Sequence, residues 1–156
     1  MKKLTYKVDK CLGCKSCEIA CAIAHAKTQD LFKALREEVL SMPRKKVFSA
    51  KGKSYPVSCQ HCQDPKCVDA CMAYALKFDQ EKGMVLHDEA RCVGCWMCVM
   101  VCPYAAIRPN AKTKIPVRCD KCQDKDEPAC VKACPTGAII WGAVDEEGIL
   151  SSHQTK

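Results

Sequence analysis

Four cysteines in the middle of the chain have the spacing of an iron–sulfur ligand loop. Cys92, Cys95, Cys98 and Cys102 form a C-x2-C-x2-C-x3-C run, and a proline follows it. In this bacterial pattern three thiolates surround one cubane, and the fourth usually ligates a neighbouring cluster. Gly94 suits the loop, because a residue without a side chain lets backbone N–H groups approach the inorganic sulfides. The run therefore predicts [4Fe–4S] binding.

Three further groups account for the remaining cysteines. In chain order the four groups are Cys11, Cys14, Cys17 and Cys21; Cys59, Cys62, Cys67 and Cys71; Cys92, Cys95, Cys98 and Cys102; and Cys119, Cys122, Cys130 and Cys134. Group one repeats the spacing of group three, whereas groups two and four have a longer second gap. All 16 cysteines fall into these groups. At four thiolates per cubane, they predict four [4Fe–4S] clusters.

Structural zinc is the alternative metal for these cysteines. Four zinc sites of four cysteines each would use the same thiolates, and zinc ribbons also use paired C-x2-C motifs. Zinc does not require a third cysteine at the same interval and a proline-flanked fourth, which group three supplies. The spacing therefore favours clusters over zinc.

The N-terminal residues bear on the redox compartment. Residues 1–10 contain no apolar segment of the kind that secretory signal peptides have. This predicts a cytoplasmic, reducing location, where clustered cysteines more often bind metal than form disulfides. Export together with a partner subunit is the alternative. No run approaches the length of a membrane span, so no direct membrane insertion is predicted.

The formal net charge of +7 counts every cysteine as a neutral thiol. Coordinating thiols are deprotonated, so sixteen thiolates around four oxidised cubane cores bring the holoprotein to about −1. The lysines and arginines thus mainly offset the clusters. The basic isoelectric point is accordingly no sign of nucleic-acid binding.

The segments between the cysteine groups predict short helices and hairpins, hence an α+β fold. Residues 15–26 predict a helix that carries Cys21, and residues 30–40 predict a second helix whose apolar stripe packs on the cluster domain. That stripe comprises Leu31, Phe32, Leu35 and Val39. Further predictions are a strand at residues 4–8, hairpins at residues 44–58, 76–86 and 138–150, and a frayed tail at residues 151–156.

Two kinds of side chain outside the cysteine groups are candidates for a role: histidines that could tune cluster potentials, and cations that could dock a partner protein. His25 and His61 are predicted to pack or to form hydrogen bonds, because every cluster corner already has a cysteine. His87 and His153 are predicted to be solvent-exposed. The 43–58 segment would either dock an acidic partner surface or remain a solvated loop. Its cations are Arg44, Lys45, Lys46, Lys51 and Lys53.

A cysteine loop, a helix and a hairpin, occurring twice, are the layout of a two-cluster bacterial ferredoxin. The four groups make two such units, and their order leaves two pairings open. Groups one with two and three with four would form a simple tandem. Groups two with three, enclosed by groups one with four, would form a nested arrangement.

Residues 4–142 resemble the four-cluster ferredoxin-type subunits of complex redox enzymes. Members of that family accompany dimethyl sulfoxide reductase, formate dehydrogenases, hydrogenases, tungsten aldehyde oxidoreductases and carbon monoxide dehydrogenases. The resemblance rests on the four-group signature and implies the nested pairing. It assigns residues 1–21 and 103–150 to an outer two-cluster unit, residues 59–102 to an inner one, and residues 22–58 to a helical and basic-hairpin insertion.

The resemblance also implies which cysteines share a cluster. The sets are Cys11, Cys14, Cys17 and Cys134 for cluster 1; Cys21, Cys119, Cys122 and Cys130 for cluster 2; Cys59, Cys62, Cys67 and Cys102 for cluster 3; and Cys71, Cys92, Cys95 and Cys98 for cluster 4. The chain departs from the family pattern at Met72, which follows Cys71 where proline often stands. The departure leaves the ligand itself in place.

A narrower similarity concerns the partner enzyme. The stretch from Cys14 to Lys27, together with Asp30-Leu-Phe32, is similar to the iron–sulfur partner protein of nickel carbon monoxide dehydrogenase. This implies a non-catalytic subunit that relays single electrons between that enzyme and an acceptor such as a hydrogenase or a flavin oxidoreductase. Three alternatives stand beside it: the same role with an aldehyde oxidoreductase, formate dehydrogenase or hydrogenase; a free polyferredoxin; and a zinc-bound interaction module.

Overall fold

The computed structural model describes residues 2–143, in which short helices join three two-stranded antiparallel sheets. The strands are β1 (Lys2–Tyr6), β2 (Lys45–Ala50), β3 (Lys53–Ser58), β4 (Leu76–Asp79), β5 (Met84–His87) and β6 (Ile139–Ala143). The helices are α1 (Ser16–Ala24), α2 (Leu31–Ala34), α3 (Lys66–Asp69), α4 (Met97–Met100) and α5 (Ala129–Lys132), with a 3₁₀ turn at Val8–Lys10. The predicted α+β class is confirmed. His153, the predicted strand at 148–150 and the tail at 151–156 lie outside the described residues.

The first and last described strands pair with each other. In the β1–β6 ladder, Leu4 lies opposite Trp141 and Tyr6 lies opposite Ile139. The sequence predicts a hairpin partner for β6 at residues 148–150, whereas the described partner is β1. Helices α1 and α5 also pack together. These contacts bring the loop of group one against the helix of group four.

The other two sheets are the predicted hairpins. Strands β2 and β3 pair from Lys45 with Ser58 to Ala50 with Lys53. Lys51 and Gly52 connect them with φ angles of 50° and 74°. Two successive positive φ angles match the twist of a tight hairpin. Strands β4 and β5 pair in the same antiparallel manner.

The apolar side chains form two separate cores. The first contains Cys17, Val47, Cys130 and Ile139, and we call the structure around it the first lobe. The second contains Leu76, Val85, Cys98 and Ile107, and we call its surroundings the second lobe. Cysteines belong to both cores. The packing is therefore organised around the positions that the clusters need.

The predicted helix over residues 30–40 is wrong for most of its length. Helix α2 ends at Ala34, although Asp30 caps it by accepting a hydrogen bond from the Lys33 amide at 2.9 Å. The apolar stripe does not pack on the cluster domain, since Phe32 is 75% and Leu35 is 64% exposed. A short helix without a buried face gains little stability.

Residues 27–37 instead fold back on themselves. The Glu37 carboxylate accepts hydrogen bonds from the Thr28 amide at 3.0 Å and from the Thr28 hydroxyl at 2.9 Å. These bonds draw the chain after α2 towards the residues that precede it.

No helix within residues 2–143 has both the length and the apolar character needed to cross a bilayer.

Candidate metal centres

Three cavities are each lined by four cysteines. The cavity in the first lobe is lined by Cys11, Cys14, Cys17 and Cys134. The two in the second lobe are lined by Cys71, Cys92, Cys95 and Cys98, and by Cys59, Cys62, Cys67 and Cys102. The structure thus brings together the four cysteines that the resemblance implies for clusters 1, 4 and 3.

The remaining four cysteines, Cys21, Cys119, Cys122 and Cys130, are all buried. Cys21 Sγ lies 3.8 Å from His25 Nδ1. Cys122 Sγ and ligand atoms of His25 and Asp120 all lie within 4.8 Å of one another. Two cysteines of the fourth implied set, Cys21 and Cys122, are thus brought together beside His25.

Burial makes several of these thiols hard to ionise without a metal. It raises the pKa of Cys17, Cys67 and Cys98 to about 11 and that of Cys119 to about 12. Protons would therefore stay on these sulfurs at neutral pH, whereas coordination to a metal removes them. Each of the four implied cysteine sets contains one of these buried thiols, as metal-bound thiolates would require.

The cysteine loops share a backbone feature. The residue before the second cysteine has a positive φ in all four groups: Gly13 at 70°, His61 at 50°, Gly94 at 69° and Lys121 at 60°. Such turns point successive N–H groups into a concavity that suits an anion, including iron–sulfur sites. The glycine requirement predicted at Gly94 has a second cause. A Cβ there would lie 2.4 Å from the Lys114 carbonyl oxygen.

Backbone amides point at the last cysteine of three groups. The Ala106 amide lies 3.5 Å from Cys102 Sγ, and the Ala138 amide lies 3.3 Å from Cys134 Sγ. Cys21 Sγ instead accepts from the Arg44 amide at 3.3 Å. Hydrogen bonds to the sulfurs are among the determinants of cluster potential. The segment before β2 therefore contributes to the surroundings of a group-one ligand.

His25 belongs to a charged network beside Cys21 and Cys122. Its Nδ1 donates to the Cys21 carbonyl at 2.7 Å, and its Nε2 donates to Asp120 at 3.2 Å. Arg44 Nη1 donates to the same carboxylate at 2.6 Å, and the Cys122 amide donates to it at 3.1 Å. Burial alone would lower the pKa of His25, but these hydrogen bonds raise it to about 12. The predicted hydrogen-bonding role is confirmed.

The other two described histidines are His61 and His87, and burial lowers the pKa of both, whereas that of His25 is raised. His61 is buried, and its Nδ1 accepts a hydrogen bond from the Val85 amide at 3.2 Å. Burial lowers the pKa of His61 to about 3, so the ring stays neutral. The prediction that His87 is solvent-exposed is wrong. It is half-buried and lines the cavity of the Cys92 loop.

Two cations that sequence reasoning missed lie inside the molecule. The prediction of a surface position is wrong for Lys45, which is buried next to Val47 on β2, whereas Lys46 between them is exposed. The alternation of inward and outward side chains along a strand is the signal that could have found it. Arg118 directly precedes Cys119 and is also buried. Only the fold indicates that it faces the second lobe.

Comparison with known proteins identifies the domains. Residues 50–144 match a family described as a 4Fe-4S dicluster domain, and residues 8–24 match a 4Fe-4S binding domain. These matches and the sixteen cysteines fit four [4Fe–4S] clusters, as predicted, rather than zinc. The chain is similar in fold to a chain of the active site complex BamBC of benzoyl coenzyme A reductase. The TM-score is 0.51 at 22% identity, covering 90% of this chain and 78% of that chain.

Two relatives establish the family. An "iron-sulfur protein" of Rhodospirillum rubrum is 40% identical over 147 residues, covering 84% of this chain and 76% of that protein. The thiosulfate reductase electron transfer subunit PhsB of Salmonella typhi is 32% identical over 145 residues, covering 90% of this chain and 74% of that protein. With its sixteen cysteines in four ligand groups, the chain belongs to the ferredoxin-type family of [4Fe–4S] electron-transfer subunits.

Proposed function

We propose that clusters 1 to 4 are held by the four cysteine sets named in the sequence analysis. The support is that the cysteines of clusters 1, 3 and 4 each line one cavity. Those of cluster 2 are all buried, and two of them, Cys21 and Cys122, lie beside His25. The tandem pairing of groups would separate cysteines that share a cavity, such as Cys11 and Cys134.

We also propose the nested division into an outer and an inner two-cluster unit. In support, the outer segments meet through the β1–β6 ladder and the contact of α1 with α5. The inner segment has its own hairpin, β4–β5, and its own contact of α3 with α4. Each unit would hold two clusters, as a bacterial dicluster ferredoxin does.

The function we propose is a relay of single electrons along the series of clusters 1, 2, 3 and 4. Each cluster, when bound, takes up or releases one electron. The observation that carries the proposal is that helix α1 contains one cysteine of the cluster 1 set and one of the cluster 2 set, Cys17 and Cys21. Arg118 directly precedes Cys119 of the cluster 2 set and donates a hydrogen bond to Val85 in the second core.

The two ends of the series are the proposed points of entry and exit. Among the sixteen cysteines, all of which lie in the described region, Cys14 and Cys95 are the exposed ones. Cys14 belongs to the cluster 1 set and Cys95 to the cluster 4 set. A partner at either surface would therefore approach a terminal cluster.

As partner we propose carbon monoxide dehydrogenase, with a hydrogenase or a flavin oxidoreductase at the other end. The support is the similarity of the stretch from Cys14 to Lys27 to the iron–sulfur partner of that enzyme. The competing candidate is a reductase of the thiosulfate reductase kind, since one relative is named as an electron transfer subunit of that enzyme. A cytoplasmic location and freedom from direct membrane insertion are part of the same proposal.

An anaerobic pull-down of the tagged native protein, followed by mass spectrometry, tests the partner. We expect carbon monoxide dehydrogenase in the bound fraction, and the remaining bound oxidoreductase would identify the acceptor. Recovery of a tungsten or molybdenum enzyme would keep the relay and overturn the partner. A chain that stays monomeric and serves several enzymes would indicate a free polyferredoxin.

A further inference from the structure

Two cations are buried among the cysteines, and no carboxylate within residues 2–143 forms an ion pair with either of them. Lys45 is 2% exposed and Arg118 is 6% exposed. Neither takes part in the ion pairs formed within residues 2–143. In the same region, Lys45 Nζ and Arg118 Nη1 have no hydrogen-bond partner. Burying an unpaired charge is costly, so both cations require an anion that the carboxylates of residues 2–143 do not supply.

Lys45 projects from β2 into the first lobe. Its Nζ lies 5.0 Å from the centroid of the Tyr6 ring, and the Tyr6 hydroxyl is hydrogen-bonded to Ser58 Oγ. Burial raises the pKa of Tyr6, so the phenol is neutral and cannot be the counter-ion. The charge of Lys45 also acts on Cys130 and Cys119 of the cluster 2 set and on Cys17 of the cluster 1 set.

Arg118 is the second buried cation, and it contacts the second lobe. One guanidinium nitrogen, Nη2, donates to the Val85 carbonyl in the second core. The cysteines that interact most strongly with the charge of Arg118 are Cys59 and Cys67 of the cluster 3 set. Cys98 and Cys119 follow. Arg118 thus reaches from the chain of the first lobe into the cluster environment of the second.

We propose that Lys45 and Arg118 are built-in counter-charges that raise the reduction potentials of the clusters beside them. Lys45 acts chiefly on cluster 2, through its place beside Cys130, and Arg118 acts chiefly on cluster 3. Reduction adds one negative charge to a cluster, so a fixed cation stabilises the reduced form more than the oxidised form. This inference rests on the proposed ligand sets. It makes the two middle clusters better electron acceptors than they would be without these side chains.

The test for Lys45 compares neighbouring lysines on one strand. Lys45→Gln and Lys45→Met remove the buried charge, and Lys46→Gln removes an exposed charge one residue away. Each protein is titrated anaerobically with dithionite while electron paramagnetic resonance follows the clusters. For Lys45→Gln we expect the reduced-to-oxidised ratio of one cluster at fixed potential to fall about tenfold, or about 59 mV for a one-electron couple. Lys46→Gln should leave every midpoint unchanged.

The parallel test for Arg118 uses Arg118→Gln, with Arg118→Lys as the charge-preserving variant and Arg91→Gln as the control. Arg91 is exposed and paired with Asp88 on the surface. We expect Arg118→Gln to lower the midpoint of a cluster other than the one that Lys45→Gln affects. Arg118→Lys should restore most of the difference.

The iron content separates failure of this inference from failure of the ligand sets. Full iron content with unchanged midpoints in Lys45→Gln and Arg118→Gln would overturn the inference and leave the ligand sets intact. If the neutral Lys45 variants fail to load clusters, Lys45→Arg decides between charge and shape. Normal loading of Lys45→Arg would support a charge requirement, whereas its failure to load would indicate that shape alone matters and overturn the inference.

Discussion

The two lobes contain the same kinds of element but obtain them from the chain in different ways. The second lobe is built from nearly contiguous segments, with the β4–β5 hairpin, α3 and α4 around Leu76 and Val85. The first lobe joins β1 to β6 and receives Val47 and Lys45 from the β2–β3 hairpin. The second lobe can therefore form from local contacts, whereas the first requires both ends of the described chain.

The two buried cations also come from different parts of the chain. The hairpin inserted between groups one and two supplies Lys45 to the first lobe. Arg118, by contrast, directly precedes Cys119 of group four but donates a hydrogen bond to the Val85 carbonyl of the second core. Each lobe thus depends on a residue from outside its own cysteine groups. The β2–β3 hairpin thus packs among cysteines of the first core and is not only a surface extension.

Removal of iron should have the largest effect, because it should unfold both lobes. We expect the apoprotein to lose most of its structure, because metal-binding energy is folding energy in small metal-dependent domains. Hydrogen exchange before and after anaerobic chelation would measure the loss, and reconstitution with iron and sulfide is the control. Retention of native protection in both lobes of the apoprotein would contradict this expectation.

Replacing one exposed ligand in either lobe should remove one cluster. Cys14→Ser in the first lobe and Cys95→Ser in the second should each lower the iron content by about a quarter, since each cluster has four of sixteen irons. Iron analysis and electron paramagnetic resonance would show which signal is lost. Met100→Leu, at an exposed position in the second lobe, is the control. An unchanged iron count in both serine variants would disprove the ligand assignment.

The glycines of the two equivalent loops should differ in their tolerance of alanine. Gly94→Ala places a Cβ 2.4 Å from the Lys114 backbone oxygen, whereas Gly13→Ala meets the Ser54 hydroxyl at 2.5 Å, and a side chain can rotate away. We expect Gly94→Ala to cost about 3 kcal/mol and Gly13→Ala about half of that, largely backbone strain. Gly52→Ala, at a φ of 74° with open space around it, measures the strain alone. Equal losses of thermal stability for Gly13→Ala and Gly94→Ala would refute the distinction.

The smallest expected effect concerns a surface cation of the same hairpin that carries Lys45. Lys53 pairs with Asp9 at 3.5 Å, but both side chains are largely exposed. Exposed pairs of this kind contribute little, so Lys53→Gln should change the free energy of unfolding by less than about 0.5 kcal/mol. Denaturant titration of the holoprotein provides the measurement. A change comparable to that of Gly13→Ala would indicate an additional role for the hairpin tip.

The cysteine spacing predicted much of the candidate site, because ligand loops are local. The α1 helix and the β2–β3 and β4–β5 hairpins were predictable from periodicity and turn residues for the same reason. The pairing of β1 with β6 was not, since no short-range pattern records which distant strand completes a sheet. The stripe after Asp30 misled for a different reason: helical spacing of apolar residues does not show whether a surface exists to bury them. Lys45 and Arg118 were hidden because a buried cation looks like a surface cation until its anionic neighbours are known.

The most direct test of a four-cluster electron relay is a reductive titration of the anaerobically purified chain, with iron and acid-labile sulfide measured on the same sample. The account predicts a brown protein with about sixteen irons and sixteen sulfides per chain that takes up about four electrons, one per cluster. Midpoints at several distinct potentials would fit the different charges around the clusters. A colourless protein containing zinc, or an uptake of two electrons or fewer at full iron content, would contradict it.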